Sequence, residues 1–383
     1  MSVHSRWPAV VSVMLGIFAI VTTEILPIGL LTPIGATFGI SPGTAGLMMT
    51  MPGFLAALAA PLVTVATARL DRRRMLGALA LLLAVANFLA AVAPGYWLML
   101  LSRVLLGVVI GGFWSIGAGL APRLVPAHRV GAATAVIFAA VPLGSVLGVP
   151  AGTFLGELAG WRAAFVVLGV LTAVVWLALL VFLPPLPAER ATSPRVLAGL
   201  LRLPSARLGL AVTFLVVLAH FGTYTYVTPF LHQATQASPT PYLLAYGLAG
   251  VLGNFLAGAW VATSVRRVFA LAAGLIALAT VLLPVLGGWE LPLLVLWGLA
   301  YGAVPACAQT WLAQSAPDAP EAATVLFTSA FQATLSTGAL LGGVLVDASS
   351  VPVTMVAGGL VALLAVGVLQ AFPQVRQPVQ HHA

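Results

Sequence analysis

The feature that most constrains this chain is a succession of apolar runs, each about 20 residues or longer and separated by short polar connections. A bilayer core is about 30 Å thick and is crossed by about 20 helical residues, so each run predicts one transmembrane helix. Charged residues are only 6% of the chain, against about 25% in a soluble domain. The sequence therefore predicts an all-α integral membrane protein with twelve spans, at 8–31, 43–68, 75–94, 96–121, 131–155, 163–184, 207–231, 241–263, 268–287, 291–313, 322–346 and 351–372.

The basic residues sort to alternate connections between the runs. With the N-terminus placed inside, Arg162 is the one arginine on the outer side and Arg103 lies within a run, while all the others fall inside. Basic loops stay in the cytoplasm, so both termini are predicted to be cytoplasmic. The formal charge of +8 is scattered rather than gathered in a patch, which argues against nucleic-acid binding. The chain has no lysine, so it cannot complete a Walker A motif for ATP.

The connection at 187–206 is longer than the others, rich in proline and charged. We predict that it links two six-helix bundles, residues 1–186 and 207–383. At an offset of 190 residues, Ala132-Ala133-Thr134 matches Ala322-Ala323-Thr324, and the glycines at 148 and 152 match those at 338 and 342. A repeat offset by six spans predicts two parallel, pseudo-symmetric halves.

Three stretches carry a resemblance to a known family. The connection Arg69-Leu70-Asp71-Arg72-Arg73-Arg74 is similar to a cytoplasmic loop motif of the major facilitator superfamily, although it lacks both glycines of that motif. Leu101-Ser102-Arg103 with Gly107, and the stretch 142–152, resemble motifs of its twelve-helix drug:proton antiporters. The resemblance implies the major facilitator fold, no enzymatic activity and no cofactor, with protons as the coupling ion.

Within that group the chain resembles the bacterial sugar efflux transporters. The similar stretches are residues 22–31, Phe113-Trp114-Ser115 and residues 220–230. This resemblance implies a multi-pass monomer in the bacterial inner membrane that exports a small molecule, a sugar, in exchange for protons. It also implies that the first, fourth, seventh and tenth spans line the cavity.

Two charges fall inside the predicted spans. Glu24 lies in the first span, where ionisation of an isolated carboxyl costs several kcal/mol, so the side chain is suited to gain and lose a proton. Arg103, in the fourth span, keeps its charge under ordinary conditions and must find acceptors in the protein interior. We predict that the pair couples transport to protons. The alternatives are that Glu24 only ties helices together and that Arg103 only caps backbone carbonyls.

Polar side chains in other spans are candidates for binding substrate. His220, Thr223 and Tyr224, with Val227, follow the i, i+3, i+4, i+7 spacing of one helix face. Hydroxyl, imidazole and amide groups suit a hydroxyl-rich ligand. The alternative is that these side chains only form hydrogen bonds between helices. His220 is a second candidate proton carrier. The remaining candidate substrate residues are Trp114, which is three helical turns beyond Arg103, together with Asn254, Gln309 and Gln332.

Other functions remain open at this level. A multidrug:proton antiporter would use the same coupling residues, a proton-independent facilitator would need no buried acid, and a non-transporting receptor gives no reason for the buried charges. Asp71, Arg72 and Arg73 form the predicted cytoplasmic loop motif, and the cluster Arg72-Arg73-Arg74 is either a signal for topology or a latch between loops and helix ends.

Overall fold

The computed structural model describes residues 6–66, 70–117, 120–187, 199–235, 237–316 and 319–372. The first half contains α1 (Trp7–Phe38), α2 (Pro42–Ala45), α3 (Leu47–Ala66), α4 (Arg72–Ala91), α5 (Tyr96–Gly117), α6 (Ala121–Leu124), α7 (Val130–Ala159) and α8 (Trp161–Phe182). The second half contains α9 (Pro204–Tyr224), α10 (Val227–Ala234), α11 (Thr240–Leu282), α12 (Glu290–Ser315), α13 (Pro320–Ala348) and α14 (Val351–Ala371).

Twelve helical segments of the described chain are long and apolar enough to cross a membrane, which confirms the predicted number. Helices satisfy their backbone hydrogen bonds internally, as lipid requires. Large apolar side chains such as Leu62, Val181 and Phe255 remain well exposed on the outside of the bundle, where lipid rather than water covers them. The chain is therefore a multi-pass membrane protein.

The seventh span departs from its predicted boundaries, whereas the break between the eighth and ninth spans lies close to the predicted position. The run 207–231 was expected to form one helix, but α9 ends at Tyr224 and a two-residue turn separates it from α10. The eighth and ninth spans are joined in α11, with a break at Ser264, whose backbone is extended (φ −166°, ψ 95°). The Ser264 hydroxyl accepts a hydrogen bond from the backbone N–H of Arg267 (3.3 Å) and so begins the ninth span in the way that an N-cap does.

The helices pack as two pseudo-symmetric bundles. In the first bundle α1 packs on α7, α3 on α5 and α4 on α8, and in the second α9 packs on α13 and α11 on α12. The glycines of the internal repeat allow close helix packing in both bundles. Gly148 lies against Thr22 of α1, and Gly338 lies against Leu218 and Gly222 of α9. The bundles meet where α1 contacts α10, α3 contacts α13 and α7 contacts α11.

The connections at residues 39–41, 92–95, 160, 237–239, 283–289 and 349–350 gather at one end of the bundle, which we call the distal end. The start of α1, the end of α8 and the start of α9 belong to the opposite end. Much of the 187–206 connection, residues 188–198, lies outside the described residues, so the domain boundaries and the cytoplasmic termini stay predictions. The first described helix after this connection is α9, which begins at Pro204.

Candidate functional site

The Glu24 carboxyl lies near the middle of α1 and faces the other bundle. It is 6% exposed, and the side chain of Gln332, near the middle of α13, hydrogen-bonds to it. Among the described residues the second carboxyl oxygen, Oε1, has no partner, and neither do Oε1 of Gln332 and Oγ of Ser336. Gly53 of α3 lies against Ser336 and Gln332, so the absence of a side chain there lets α3 and α13 approach. The polar groups form a small buried cluster between the bundles.

Arg103 binds the backbone of α1 at Thr23, the residue before Glu24, rather than the Glu24 carboxyl. Its guanidinium is fully buried and donates from Nη1 to the carbonyl of Thr23 (3.0 Å) and from Nε to Ser102 Oγ (3.2 Å). The guanidinium carbon lies 5.1 Å from the centre of the Phe165 ring. Asn87 donates to the Thr23 hydroxyl (3.1 Å), so α1, α4 and α5 are joined at this residue. Within the described chain Arg103 forms no salt bridge with Glu24, and its Nη2 has no hydrogen-bond partner.

Four parallel rings, the aromatic column, lie in the second bundle: Tyr246, Tyr224, His220 and Tyr301. Ring centres are 4.4 Å apart between Tyr246 and Tyr224, 5.0 Å between Tyr224 and His220, and 3.3 Å between His220 and Tyr301. The Tyr301 phenol is close enough to Glu24 for electrostatic interaction. The column therefore leads from α11 through α9 and α12 towards the carboxyl on the first bundle.

Trp297 determines which nitrogen of the His220 imidazole carries the proton in the neutral form. Its ring stands nearly perpendicular to His220, at 79°, and its indole N–H donates to His220 Nδ1 (3.1 Å). An accepting Nδ1 carries no proton, so a neutral His220 holds its proton on Nε2. At the other end of the column the buried hydroxyl of Tyr246 has no partner among the described residues.

Thr223 does not share the face of His220 and Tyr224, contrary to the sequence prediction. Its hydroxyl donates to the carbonyls of Ala219 and His220 in its own helix (both 2.9 Å), and its methyl group faces Gly358 of α14. The fourth member of the predicted face, Val227, lies beyond the break that ends α9. The turn at 225–226 accounts only for Val227, because Thr223 precedes the turn within α9 and is directed towards α14.

The other predicted substrate residues are placed at separate points. Trp114 is partly buried in the first bundle with its ring centre 6.3 Å from that of Phe138. Asn254 is half-buried on α11, beside Gly302 of α12, and Gln309 is exposed on α12. Of the predicted set, the structure gathers Gln332, His220 and Tyr224 around the region that contains Glu24.

Comparisons with known proteins assign the family. The model of the Major Facilitator Superfamily matches residues 13–319, most of the chain. The protein belongs to the major facilitator superfamily. It is accordingly a transporter rather than an enzyme.

Several relatives in the superfamily have names that refer to function. The chain is 34% identical over 371 residues to the "Transcription regulatory protein OpdE" of Pseudomonas aeruginosa, covering 94% of this chain and 92% of that protein. It is 34% identical over 351 residues to the "Purine ribonucleoside efflux pump NepI" of Salmonella paratyphi A, covering 89% and 88% of the two chains. A pump of the same name from Escherichia coli is 33% identical over 368 residues, with 94% and 92% covered.

Solved structures of the superfamily share the fold. A bacterial homologue of the human lysosomal transporter Spinster, in an inward-facing and unoccupied conformation, has a TM-score of 0.74 at 16% identity, covering 95% of this chain and 96% of that one. The human organic anion transporter TETRAN has a TM-score of 0.66 at 21% identity, covering 96% and 100%.

The loop residues Asp71, Arg72 and Arg73 make their contacts within the first bundle. The Asp71 carboxylate caps α4 by accepting from the backbone N–H groups of Arg73 (2.9 Å) and Arg74 (3.3 Å). The Arg73 guanidinium donates to the carbonyl of Leu180, in the last turn of α8, where the helix dipole favours a cation. The backbone N–H of Arg72 donates to the carbonyl of Leu186 (2.9 Å). The motif thus ties the start of α4 to the end of α8.

Sequence reasoning did not assign Tyr246, Trp297, Tyr301 or Ser336 to the site. Trp297 and Tyr301 are four residues apart and so share a face of α12. An aromatic pair with polar tips at that spacing in an apolar run was the available signal. The same spacing was available for the other two, since Ser336 follows Gln332 and Tyr246 follows Tyr242 by four residues.

Proposed function

We propose that this transporter exports a hydroxylated small solute of the nucleoside class, a sugar bearing a heteroaromatic base, in exchange for protons that bind at Glu24. The observation that carries the proposal is the position of Glu24, buried between the two bundles and hydrogen-bonded to Gln332. Among the described residues it is the one acidic side chain that is buried in the middle of a span.

A carboxyl in this position is suited to couple transport to protons. Burial disfavours the ionised form, whereas contact with water or an amide donor supports it. Rocking of the bundles about this contact changes both the exposure of Glu24 and its partner, so the affinity for a proton differs between the two states. One charge that moves inward through 100 mV releases about 2.3 kcal/mol, enough for roughly fifty-fold accumulation of a neutral solute.

The aromatic column supports a substrate that carries a heteroaromatic base in addition to its sugar. A purine presents a flat π-face, and parallel aromatic rings offer a stacking surface that tolerates different substituents. The amide of Gln332 and the hydroxyls of Ser336 and Tyr246 are the polar groups for ribose hydroxyls or base edges. Relatives named purine ribonucleoside efflux pumps favour this class over a free sugar. The inner-membrane location, the monomeric state and the cytoplasmic termini belong to the same proposal.

The test is flux into proteoliposomes of labelled adenosine, arabinose and a phenicol, each with and without an imposed pH gradient. We expect adenosine to accumulate in the wild type only when the gradient is present. Glu24→Gln should lose at least about 90% of the gradient-driven accumulation, because an amide cannot carry the proton, while it still exchanges labelled for unlabelled adenosine. Glu290→Gln, an acid near the distal end, is the matched control and should behave as the wild type.

The outcomes separate the alternatives. Accumulation by Glu24→Gln would show that the proton binds elsewhere. Flux of the phenicol alone would replace the nucleoside by a drug, arabinose alone would replace it by a free sugar, and flux that ignores the gradient would make the protein a facilitator.

A second candidate function is regulation of transcription, which the name of OpdE favours. It predicts that the wild type moves none of the three solutes, while deletion of the gene changes transcript levels in cells. If both results are obtained, the transport proposal fails and this candidate replaces it.

A further inference from the structure

Two acidic side chains occupy equivalent places in the two bundles. Glu157 lies in the last turn of α7 and Asp347 in the last turn of α13, and they are separated by the 190 residues of the internal repeat. Both are exposed at the distal end. The repeat thus places one carboxylate at the same end of the same helix in each bundle.

Asp347 reaches across to the first bundle. Its Oδ2 accepts a hydrogen bond from the hydroxyl of Ser41 (2.6 Å) and its Oδ1 accepts from the backbone N–H of Gly43 (2.9 Å). Ser41 is the N-cap of α2, and the N–H of Gly43 is one of the first donors of that helix, which have no acceptor within it. A methyl group at Gly43 would collide with the Asp347 carboxylate and with the carbonyl of Gly343.

Glu157 makes the equivalent contact in the opposite direction. Its Oε1 accepts from the hydroxyl of Ser238 (2.6 Å) and from that of Thr240 (3.4 Å), the residue at which α11 begins. Ser238 also accepts from the backbone N–H of Thr240 (3.2 Å), the first residue of α11, and it lies one residue before the N-cap Pro239, whereas Ser41 is itself the N-cap of α2. The two partners are therefore Ser-Pro segments at helix starts, at residues 41–42 and 238–239.

The location of these acids is unfavourable for their own helices. A carboxylate in the last turn faces the negative end of the helix dipole, whereas one beside a helix N-terminus is stabilised. Each acid obtains that favourable interaction only from a helix of the other bundle, and only while the bundles are in contact at the distal end. The carboxylates therefore favour one arrangement of the two bundles and contribute nothing of this kind once the distal end separates.

We propose that Glu157 and Asp347 form a symmetric pair of latches that hold the distal end closed, and that opening towards the distal side requires both latches to be released. The proposal concerns the balance between two conformations and depends on neither the nature of the solute nor the proton at Glu24.

The test is a distance measurement between spin labels in a Cys307→Ser background. Val92 and Val285 carry the labels, because both are exposed at the distal end and belong to different bundles. We expect Asp347→Asn and Glu157→Gln each to raise the ratio of long to short distances about two- to fivefold, the effect of one charge at a helix terminus. The double variant should raise it by roughly the product of the two, since the latches are separate.

Two controls make the result specific. Glu290→Gln removes a third distal acid, which accepts from the backbone of Gly288 (3.1 Å) in its own bundle, and it should leave the distances unchanged. Ser41→Ala removes a donor of the same latch as Asp347, so its effect should not add to that of Asp347→Asn.

Three results would overturn the proposal: wild-type distances in the double variant, an equal shift in Glu290→Gln, or full additivity of Ser41→Ala with Asp347→Asn. If Glu24→Gln loses accumulation but keeps the wild-type distances at the distal end, that result concerns only the proton proposal and does not contradict the latches.

Discussion

At the scale of single residues, the two charges buried in the membrane are satisfied by different kinds of partner. Arg103 uses a backbone carbonyl, a hydroxyl and the face of an aromatic ring, all within the first bundle. Glu24 uses the side-chain amide of Gln332 in the second bundle. A contact within one bundle persists when the bundles rock, whereas a contact between bundles changes. Arg103 is therefore suited to hold the first bundle together and Glu24 to respond to the transport cycle.

The hydrogen bond between Trp297 and His220 gives a prediction at this scale. Trp297→Phe keeps an aromatic ring but leaves the buried Nδ1 of His220 without its donor. We expect the unfolding midpoint in detergent to fall by a few degrees, because a hydrogen bond between membrane helices is worth about 0.6–1.7 kcal/mol. Trp289→Phe, at an exposed site, is the control and should leave the midpoint unchanged. Equal midpoints for the wild type and Trp297→Phe would show that the bond adds no stability.

At the scale of helices, the closest approach in the second bundle is that of α11 and α12. Gly298 lies against the carbonyl of Tyr246, and Gly302 lies against the carbonyl of Gly250. Two glycines four residues apart form a strip without side chains, which lets helix backbones touch in a solvent where burial of apolar surface gives little drive for association. This contact also sets the positions of Tyr246, Trp297 and Tyr301, which come from the same two helices.

Gly302→Ala tests this packing. A methyl group there would overlap the backbone of α11, so the helices must separate, and we expect lower thermal stability together with weaker binding of adenosine. Gly258→Ala, on α11 with open space around it, is the matched control. It should be neutral or stabilising, since alanine favours a helix by about 1 kcal/mol over glycine. If both variants lose stability equally, close packing at Gly302 is not the cause.

At the scale of the whole molecule, the contacts between bundles at the distal end belong to the arrangement in which that end is closed. Asp347 with Ser41, Glu157 with Ser238, and the Thr228 hydroxyl with the carbonyl of Ile28 (2.7 Å) all join the two bundles. Opening of the distal end must break all three, while the Arg103 and Trp297 contacts lie within single bundles and can persist. The stable unit of motion is therefore the bundle.

The arginine distribution predicts how this molecule sits in the membrane. In a Cys307→Ser background, a cysteine at Val92 should react in whole cells with a maleimide that does not cross the membrane. A cysteine at Leu201, exposed near the opposite end, should react only after the membrane is permeabilised. Basic connections remain in the cytoplasm, so the reverse pattern would place the termini outside and refute the predicted topology.

The sequence by itself determined the twelve spans and the helical class, because the length and apolar character of a span are local properties and the bilayer thickness sets a common threshold for them. The superfamily was indicated only by the resemblance of three stretches to the motifs of a known family. The sequence also indicated Glu24 and Arg103, since a charge inside an apolar run stands out without any knowledge of its neighbours. The failure at Val227 has an equally local origin, because the pattern did not reveal the turn that ends α9. Thr223 was misplaced for another reason, because spacing alone does not show that its side of α9 meets α14.

Only the tertiary structure decided which side chains meet. The pairing of Glu24 with Gln332, the aromatic column drawn from α9, α11 and α12, and the latches at Glu157 and Asp347 all depend on how each helix is rotated about its axis. In a water-soluble protein an apolar stripe discloses that rotation. Spans that are apolar on every side carry no such stripe, so close packing between helices sets the rotation instead.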